Sequence, residues 1–320
     1  MPNRIGVLIL AGPTASGKSE LAIALAERFG AEIVGADSRQ VYRDMPVGTA
    51  APSAATRARV THHLVGFLDP RERYSAARFA ADALAAIDAI AARGRPVIVV
   101  GGTGFYVRAL CGEVALSAAY DPVLRARLAR EARLHPPETL HEWLAARDPE
   151  RAAQIAPGDR YRVARALEIA LAPAHRALRS DDAAGRSLRT SGIPFLKIVL
   201  DIDDERLLAR IEARVEAMLA GGLLDEAERV GAGAAAADAV GYPQALAYLA
   251  GLSTLEELRA SLVRATRRYA KRQKTWFRGE PGVRFVTAGD ALERLSEWAH
   301  AELGWERAPA GAERTGRAAG

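Results

Sequence analysis

An eight-residue run near the N-terminus matches the pattern G-x-x-x-x-G-K-[ST] and reads Gly12, Pro13, Thr14, Ala15, Ser16, Gly17, Lys18, Ser19. It lies between an apolar, strand-like segment and an amphipathic helical segment. Glycines let the backbone fold around an anion, successive N–H groups point at phosphate oxygens, and a lysine adds positive charge. We therefore expect residues 12–19 to form a phosphate cradle for a ligand that carries at least a diphosphate. The Ser19 hydroxyl is the expected ligand of a Mg²⁺ ion.

The composition restricts where such a chain works. Of its 320 residues 49% are hydrophobic, yet no apolar run approaches the about 18 residues that cross a bilayer. The N-terminus lacks the features of a secretory signal, and Cys111 as the single cysteine excludes an internal disulfide. These features predict a cytoplasmic protein without a membrane partner. No oligomer signal is evident, so we expect a monomer.

Strand-like segments follow one another along the chain, with helical patterns between them. Most are rich in β-branched residues and are bounded by Gly, Pro or Asp. They are residues 5–11, 32–36, 96–101, 195–200 and 283–287. Strands that alternate with helices predict a parallel sheet covered on both faces. The expected fold class is therefore α/β, with a P-loop-type parallel sheet and helices on both faces.

The segment between Val100 and Phe195 contains no convincing strand, only amphipathic helical stretches near residues 122–134, 138–147 and 160–171. A connection this long predicts an all-helical insertion domain. We expect a discontinuous catalytic core of residues 1–116 and 195–305, a helical insertion at residues 117–194, and a disordered tail at residues 306–320. The polar composition of residues 180–190 predicts a mobile loop.

A basic segment lies close to the C-terminus. Lys and Arg exceed Asp and Glu by only 44 to 39 overall, but residues 259–278 hold no acidic residue. The basic residues there are Arg259, Arg264, Arg267, Arg268, Lys271, Arg272, Lys274 and Arg278. A solvated helix face would normally mix both signs, so this segment predicts an anion-binding surface for nucleic acid. An ordinary Arg-rich surface is the alternative.

Two polar residues follow predicted strands. Asp37 follows the second strand, whereas the third ends in Gly101-Gly102-Thr103 and lacks the Asp that a simple nucleoside triphosphatase would carry. Residues just past strand ends of an open α/β sheet face the ligand crevice, so Asp37, Thr103 and the cradle should converge there. Asp37 then suits a general base, although Asp-Ser is also good turn chemistry. Thr103 alternatively serves only as a helix cap.

Motifs along residues 5 to 300 occur in an order that resembles the tRNA dimethylallyltransferase family. They include the cradle, Asp37-Ser38-Arg39-Gln40, Gly101-Gly102-Thr103, Val240-Gly241-Tyr242 and the segment from Ala270 to Arg278. The resemblance implies transfer of a dimethylallyl group from dimethylallyl diphosphate to N6 of the adenosine 3′ of the anticodon, with release of pyrophosphate. It implies Asp37 and Thr103 as catalytic residues. It also implies Arg214 as a second cationic clamp on the diphosphate, although a plain surface arginine is the alternative.

The resemblance also implies a tRNA anticodon stem-loop as partner, because the target base must leave its stack to react. In the core, the implied tRNA contacts are Asp37, Ser38, Arg39, Gln40, Thr103, Gly241, Tyr242, Gln244, Lys271, Arg272 and Gln273. In the insertion they are Arg125, Tyr161, Arg162, Val163, Ala164 and Arg165. Tyr161 and Pro243 depart from the family pattern, which leaves the RNA contacts there open.

Other classes remain as alternatives. A small-molecule kinase would share the cradle and an Asp after the second strand, but it would not need the long insertion or the basic segment. An adenylate prenyltransferase would act on a free nucleotide, and the insertion favours tRNA. A non-catalytic RNA-binding protein would leave the cradle and Asp37 without a purpose.

Overall fold

The computed structural model describes residues 6–114, 121–171 and 185–308. The chain divides into two compact units, one of residues 1–113 and 186–320 and the other of residues 114–185. No helix in the described ranges is long and apolar enough to cross a membrane.

The first unit is built on a parallel sheet. Its strands, as far as the structure describes the chain, are β1 (Val7–Ala11), β2 (Glu32–Gly35), β3 (His62–His63), β4 (Val97–Gly101), β5 (Phe195–Asp201) and β6 (Val283–Thr287), in the spatial order β3-β2-β4-β1-β5-β6. In the centre, Val7 of β1 lies opposite Val97 on one side and Phe195 on the other. The predicted P-loop-type parallel sheet is confirmed. The two-residue strand β3 was not predicted, because it is too short to give a pattern.

The helices of this unit lie between the strands and after them. They are α1 (Lys18–Phe29), α2 (Pro46–Thr49), α3 (Ala54–Arg59), α4 (Ala76–Ala92), α5 (Gly104–Cys111), α10 (Asp204–Ala220), α11 (Leu223–Val230), α12 (Tyr242–Leu249), α13 (Leu255–Arg278) and α14 (Ala291–Leu303). The long helix α13 begins with a capping box, in which the Thr254 hydroxyl accepts from the Glu257 N–H and the Glu257 carboxylate accepts from the Thr254 N–H.

Alternate strand residues supply opposite faces of the sheet. Leu8 and Leu10 of β1 belong to a core with α1 and α14. Val7 and Ile9 belong to a second core with α4 and α5, which also contains Cys111. Because β1 is apolar on both faces, only a sheet covered on both sides buries these residues.

A third core fixes the loop that follows β2. Val41, Tyr42 and Met45 pack there against Val215 of α10 and Tyr242 of α12, and all five are buried. Burial of several large side chains anchors residues 41–45 to the helices that follow β5.

The described part of the second unit is helical: α6 (Pro122–Leu134), α7 (Pro137–Ala145), α8 (Pro149–Ala153) and α9 (Arg160–Leu171). Three of these helices begin with proline, whose fixed φ suits the first helical position. Leu140 and Leu144 of α7 and Val163 and Leu167 of α9 form the centre of a separate core.

The C-terminal boundary is more ordered than we expected. Trp305 is only 1% exposed, its ring lies 5.5 Å from that of Phe29, and its indole N–H donates to the Gly6 carbonyl. The Ala308 N–H donates to the Arg28 carbonyl at 3.0 Å. Chain up to residue 308 is therefore attached to the core, which contradicts the start of the predicted tail. The rest of that prediction, residues 309–320, lies outside the described residues.

The predicted mobile loop is described only from residue 185. Leu188 is buried in the second core, and Ser187 and Thr190 exchange hydrogen bonds. The prediction of mobility was wrong for residues 187–190, because Leu188 supplies the one large apolar side chain in an otherwise polar segment. The remainder, residues 180–184, lies outside the described residues.

Candidate active site

The phosphate cradle lies between the end of β1 and the start of α1. Gly12 has φ 152°, and a Cβ there would lie 2.9 Å from the Leu200 carbonyl oxygen. Gly17 has φ 95° and precedes the first helical residue, Lys18. Both positions need glycine, because other residues rarely adopt these φ values. The turn presents the N-terminus of a twelve-residue helix to a ligand, which favours an anion.

Two cations hold the shape of the cradle. The Lys18 ammonium donates to the Pro13 carbonyl at 3.2 Å. The Arg210 guanidinium, from α10, donates to the Ser16 carbonyl at 2.8 Å. Sequence analysis missed Arg210, because its contact joins residues 194 positions apart. The Ser16 hydroxyl is buried and has no hydrogen-bond partner among the described residues, so the cradle contains an unsatisfied polar group of the kind an anion would satisfy.

Asp37 lies in a tight turn after β2. One of its carboxylate oxygens accepts from the Arg39 N–H at 2.8 Å. The Ser38 N–H donates to the Thr103 hydroxyl at 3.0 Å, which ties this turn to the end of β4. β2 and β4 are neighbours, and a Cβ on Gly101 would lie 2.0 Å from the Ala36 carbonyl oxygen. The predicted convergence of Asp37 and Thr103 therefore has a geometric basis in the close approach of the two strand ends.

Residues of the cradle and of the Asp37 turn line one pocket. Its polar wall contains Lys18, Ser19, Asp37 and Gln40. The remaining wall consists of Ile33, Gly35, Pro52, His62, Val65, Val100 and Gly101. A cation, a hydroxyl and a carboxylate thus face one cavity whose other side is largely apolar.

Electrostatics tune the cation of the cradle. Burial lowers the pKa of Lys18 to about 8, while the Asp37 carboxylate opposes this shift and the Arg214 guanidinium reinforces it. The ammonium thus lies close enough to both charges for each to influence its proton. An added anion would favour the protonated form.

Arg214 lies in α10 and reaches the same region. Burial lowers the pKa of its guanidinium, while Asp37 and Glu20 oppose the shift. One terminal nitrogen donates to the Thr49 carbonyl at 3.2 Å, and the Nε–H is buried without a partner among the described residues. Arg214 is thus no plain surface arginine. A partly buried cation whose buried Nε–H is unused is suited to bind an anion.

Gln40 and Arg214 both bind the C-terminal end of α2. The Gln40 amide donates to the carbonyls of Thr49 and Ala50, both at 3.1 Å. The Glu226 carboxylate accepts from the N–H groups of Val47 and Gly48 at 2.9 and 2.7 Å. Glu226 therefore binds N–H groups near the start of α2, and sequence analysis did not identify this role.

Tyr269 of α13 is a site residue that sequence analysis missed. Burial raises the pKa of its hydroxyl, Asp37 raises it further, and a hydrogen bond with Thr103 opposes the shift. The Arg272 guanidinium lies 5.7 Å from the centre of its ring. Tyr269 thus adjoins the residues predicted to act on the acceptor. Its position four residues before Gln273 on the same helix was the available signal.

The residues predicted to contact RNA divide into exposed and buried groups in the first unit. Lys271 and Arg272 are exposed on α13, as are Arg264, Arg267, Arg268 and Arg278. Gln273 and Tyr242 are buried, at 5% and 0% exposure. The Gly241 N–H donates to the Gln244 amide oxygen at 3.0 Å, so Gln244 caps α12. Arg39 forms a two-pronged ion pair with Asp238 at 2.6 and 3.2 Å.

In the second unit, Arg125 and Arg165 both pair with the buried carboxylate of Glu168, at 2.9 and 2.7 Å. Tyr161 is 81% exposed and Val163 is fully buried. Arg162, exposed, pairs with Asp159 at 3.4 Å, and Ala164 is partly buried. Among the RNA contacts predicted on α9, Tyr161 and Arg162 are exposed, whereas Arg125 and Arg165 also organise the core of this unit.

The fold and the cradle define a P-loop α/β protein in which a carboxylate, Asp37, lines the same pocket as Lys18 and Ser19 of the cradle. A model of the IPP transferase family matches residues 40–280. A tRNA dimethylallyltransferase of Anaeromyxobacter sp. (strain K) is 49% identical over 294 residues, which cover 91% of this chain and 95% of that protein. A protein of the same name from Halorhodospira halophila is 47% identical, with coverage of 90% and 94%.

Solved structures agree with these relatives. A tRNA isopentenylpyrophosphate transferase of Bacillus halodurans is 34% identical, has a TM-score of 0.67 and matches 94% of this chain and 97% of its own. A eukaryotic dimethylallyltransferase acting on tRNA is 27% identical and has a TM-score of 0.68, with coverage of 92% and 76%.

The chain belongs to the IPP transferase family, as the motifs predicted. It is therefore an enzyme, a prenyl-group transferase. The comparisons favour this function over the small-molecule kinase and the adenylate prenyltransferase.

Proposed function

We propose that this enzyme transfers the dimethylallyl group of dimethylallyl diphosphate to N6 of the adenosine just 3′ of the anticodon in tRNA, and that it releases pyrophosphate. One observation carries the assignment of residues: Lys18 and Ser19 of the cradle line the same pocket as Asp37. A diphosphate held at the cradle would thus leave its allylic carbon near a carboxylate that can take a proton.

The donor half of the site stabilises the leaving group. As the bond between the allylic carbon and the diphosphate oxygen breaks, negative charge grows on the pyrophosphate. Helix N-terminal N–H groups, Lys18 and Arg214 are fixed donors and charges in this region, so they stabilise that charge without reorganising.

A Mg²⁺ ion fits this half of the site. Ser19 and Asp37 offer oxygen ligands to the pocket, and Mg²⁺ usually takes one or two protein oxygens together with phosphate oxygens and water. No cluster of three or more His, Cys, Asp or Glu side chains suited to a metal occurs among the described residues. We propose that Ser19 holds Mg²⁺ together with the diphosphate. When bound, the ion would neutralise charge on the departing pyrophosphate.

The acceptor half of the site consists of Asp37, Thr103 and Tyr269. The N6 nitrogen of adenine forms a bond to the allylic carbon and becomes positively charged, and Asp37 takes one of its protons. The Thr103 hydroxyl already accepts from the Ser38 N–H, so its orientation is fixed beside the Asp37 turn. We propose that Thr103 positions the amine or the diphosphate, and that Tyr269 supports Thr103.

The RNA-binding surface includes the exposed basic side chains of α13. Phosphate contacts from Lys271 and Arg272 would position the stem-loop, while sequence would be read by contacts to unstacked bases. Arg39 is held by Asp238, so its contribution would be a charge at a fixed place. In the second unit, we propose Tyr161 and Arg162 as contacts, because both are exposed on α9.

The test is prenyl transfer with purified full-length protein. Labelled dimethylallyl diphosphate and Mg²⁺ are offered with unmodified tRNA, its anticodon stem-loop, and AMP. We expect label on both RNAs and none on AMP. The matched control is the same stem-loop with guanosine at the target position, which lacks the N6 amine. Label on AMP alone, or equal label on the guanosine control, would overturn the proposal.

A further inference from the structure

Gln273 differs from its two neighbours on α13. Lys271 and Arg272 are exposed, whereas Gln273 is only 5% exposed. Successive residues of a helix point in directions about 100° apart, so three consecutive residues cannot all face one ligand. A basic surface that binds RNA through Lys271 and Arg272 therefore leaves Gln273 on the side that packs against the sheet.

Both ends of the Gln273 amide are used inside the protein. Its oxygen accepts from the Thr14 N–H at 2.8 Å, and its nitrogen donates to the Gly102 carbonyl at 2.8 Å. A backbone N–H can only donate and a carbonyl can only accept, so these partners determine the orientation of the amide. Gln273 thus joins two segments that lie far apart in sequence.

The two joined segments are the two halves of the site. Thr14 belongs to the phosphate cradle, and Gly102 precedes Thr103, which holds the Asp37 turn through Ser38. The fit is close, because a Cβ on Gly102 would lie 2.2 Å from the Gln273 amide nitrogen. The sequence placed the Thr14 N–H among the donors to the diphosphate, but in the structure this N–H already donates to Gln273.

We infer that Gln273 is a positioning residue that keeps the diphosphate cradle in register with the Thr103 turn, and that it is not an RNA contact. The inference rests on the proposed function for the identity of the two substrates. It separates Gln273 from Lys271 and Arg272, with which it was grouped by sequence. Loss of the amide would leave two buried backbone groups without partners and free the cradle to shift.

The test compares consecutive residues of one helix. Gln273→Met keeps most of the side-chain volume but removes both hydrogen bonds, and Gln273→Ala removes the volume as well. Lys271→Ala and Arg272→Ala are the matched controls. Binding of pyrophosphate with Mg²⁺ and binding of the anticodon stem-loop are measured separately on the full chain, and far-UV circular dichroism and thermal melts establish that each variant is folded.

For Gln273→Met we expect pyrophosphate binding to weaken about tenfold, and kcat to fall, while stem-loop binding stays within about twofold of wild type. Lys271→Ala and Arg272→Ala should give the reverse pattern. Stem-loop binding weakened as much in Gln273→Met as in Lys271→Ala would overturn the inference, and so would unchanged or tighter pyrophosphate binding. If Gln273→Met does not fold, the same comparison is made with Gln273→Glu, which keeps the acceptor for Thr14.

The inference and the proposed function fail in different ways. Both binding measurements proceed without prenyl transfer. A wild-type protein that binds pyrophosphate and RNA but transfers no prenyl group would refute the proposed function only. The assignment of Gln273 is then still decided by the two affinities.

Discussion

The Tyr242 hydroxyl donates a 2.7 Å hydrogen bond to the buried carboxylate of Glu226. Burial raises the pKa of Tyr242, and Glu226 raises it further, so the hydroxyl keeps its proton and remains a donor. The same carboxylate accepts from the N–H groups of Val47 and Gly48 in α2, and the Thr49 carbonyl of this helix accepts from Arg214. Tyr242, which the sequence grouped with the RNA contacts, therefore supports the helix that binds Arg214 of the proposed diphosphate site.

This relationship gives a stability prediction. Tyr242→Phe should lower the free energy of unfolding by about 1 to 3 kcal/mol, because Glu226 loses a partner in a buried environment. Stem-loop binding should stay close to wild type, since the hydroxyl is not exposed. Urea denaturation measures the first quantity and a binding titration the second. Tyr248→Phe, on the partly exposed side of the same helix, is the control and should change neither.

Replacing the proposed base should separate chemistry from binding. Asp37→Asn keeps the turn, because the amide oxygen can still accept from the Arg39 N–H, but it cannot take the N6 proton at a useful rate. We expect kcat to fall by about 10² to 10⁴ while stem-loop binding persists. Single-turnover transfer and a binding titration test this. Asp44→Asn makes the same chemical change on an exposed residue and is the control. If Asp37→Asn transferred the prenyl group as fast as Asp44→Asn, Asp37 would not be the base.

The lowered pKa of Lys18 predicts proton uptake on ligand binding. With a pKa of about 8, Lys18 is mostly charged at pH 7 and mostly neutral at pH 9. Binding an anion favours the charged form, so pyrophosphate binding near pH 8.5 should take up a proton, and affinity should fall as pH rises further.

Titration calorimetry in two buffers of different ionisation enthalpy measures this uptake. Pyrophosphate and Mg²⁺ exchange protons of their own in this range, so the decisive quantity is the difference between wild type and Lys18→Met. Equal proton uptake by the two proteins would show that Lys18 does not titrate on binding.

Arg214 should matter more for the ligand than for the fold. Arg214 is partly buried, and its buried Nε–H has no partner among the described residues, at a desolvation cost that an anion would offset. For Arg214→Gln we expect pyrophosphate affinity to drop about 10- to 100-fold, the size of a lost charged hydrogen bond, without a lower melting temperature. Arg206→Gln removes an exposed arginine from the same helix and should leave affinity unchanged. A large drop in melting temperature with unchanged affinity would make Arg214 a structural residue.

Tyr269 is expected to act through Thr103. Tyr269→Phe keeps the ring against Arg272 but removes the hydroxyl, so kcat should fall about three- to tenfold with unchanged RNA affinity. Tyr269→Ala also removes the ring and should weaken stem-loop binding. Steady-state kinetics with each substrate varied in turn distinguish the two effects. Equal loss of RNA affinity in both variants would point to a hydroxyl contact with RNA instead.

Short-range patterns identified much of this protein. Two glycines at positions with positive φ helped to identify the cradle in the sequence. Runs of β-branched residues, which the structure buries in cores on both faces of the sheet, identified the strands. These features depend on neighbours within a few residues, so they are visible in a linear sequence. The order of the motifs was enough to indicate the family, and the comparisons confirm it.

The tertiary structure decided which side of a helix or loop each predicted site residue occupies. Lys271 and Gln273 are two positions apart, yet one faces outwards and the other bonds Thr14 and Gly102, because α13 packs against the sheet at that turn. Tyr242 contacts Glu226 because α12 packs against α11 in the third core. Sequence alone determined that this chain has a phosphate cradle, an Asp after the second strand and a basic helix. Which of the site residues face a substrate, and which support the site from behind, depends on packing between distant segments. No local sequence pattern encodes that packing.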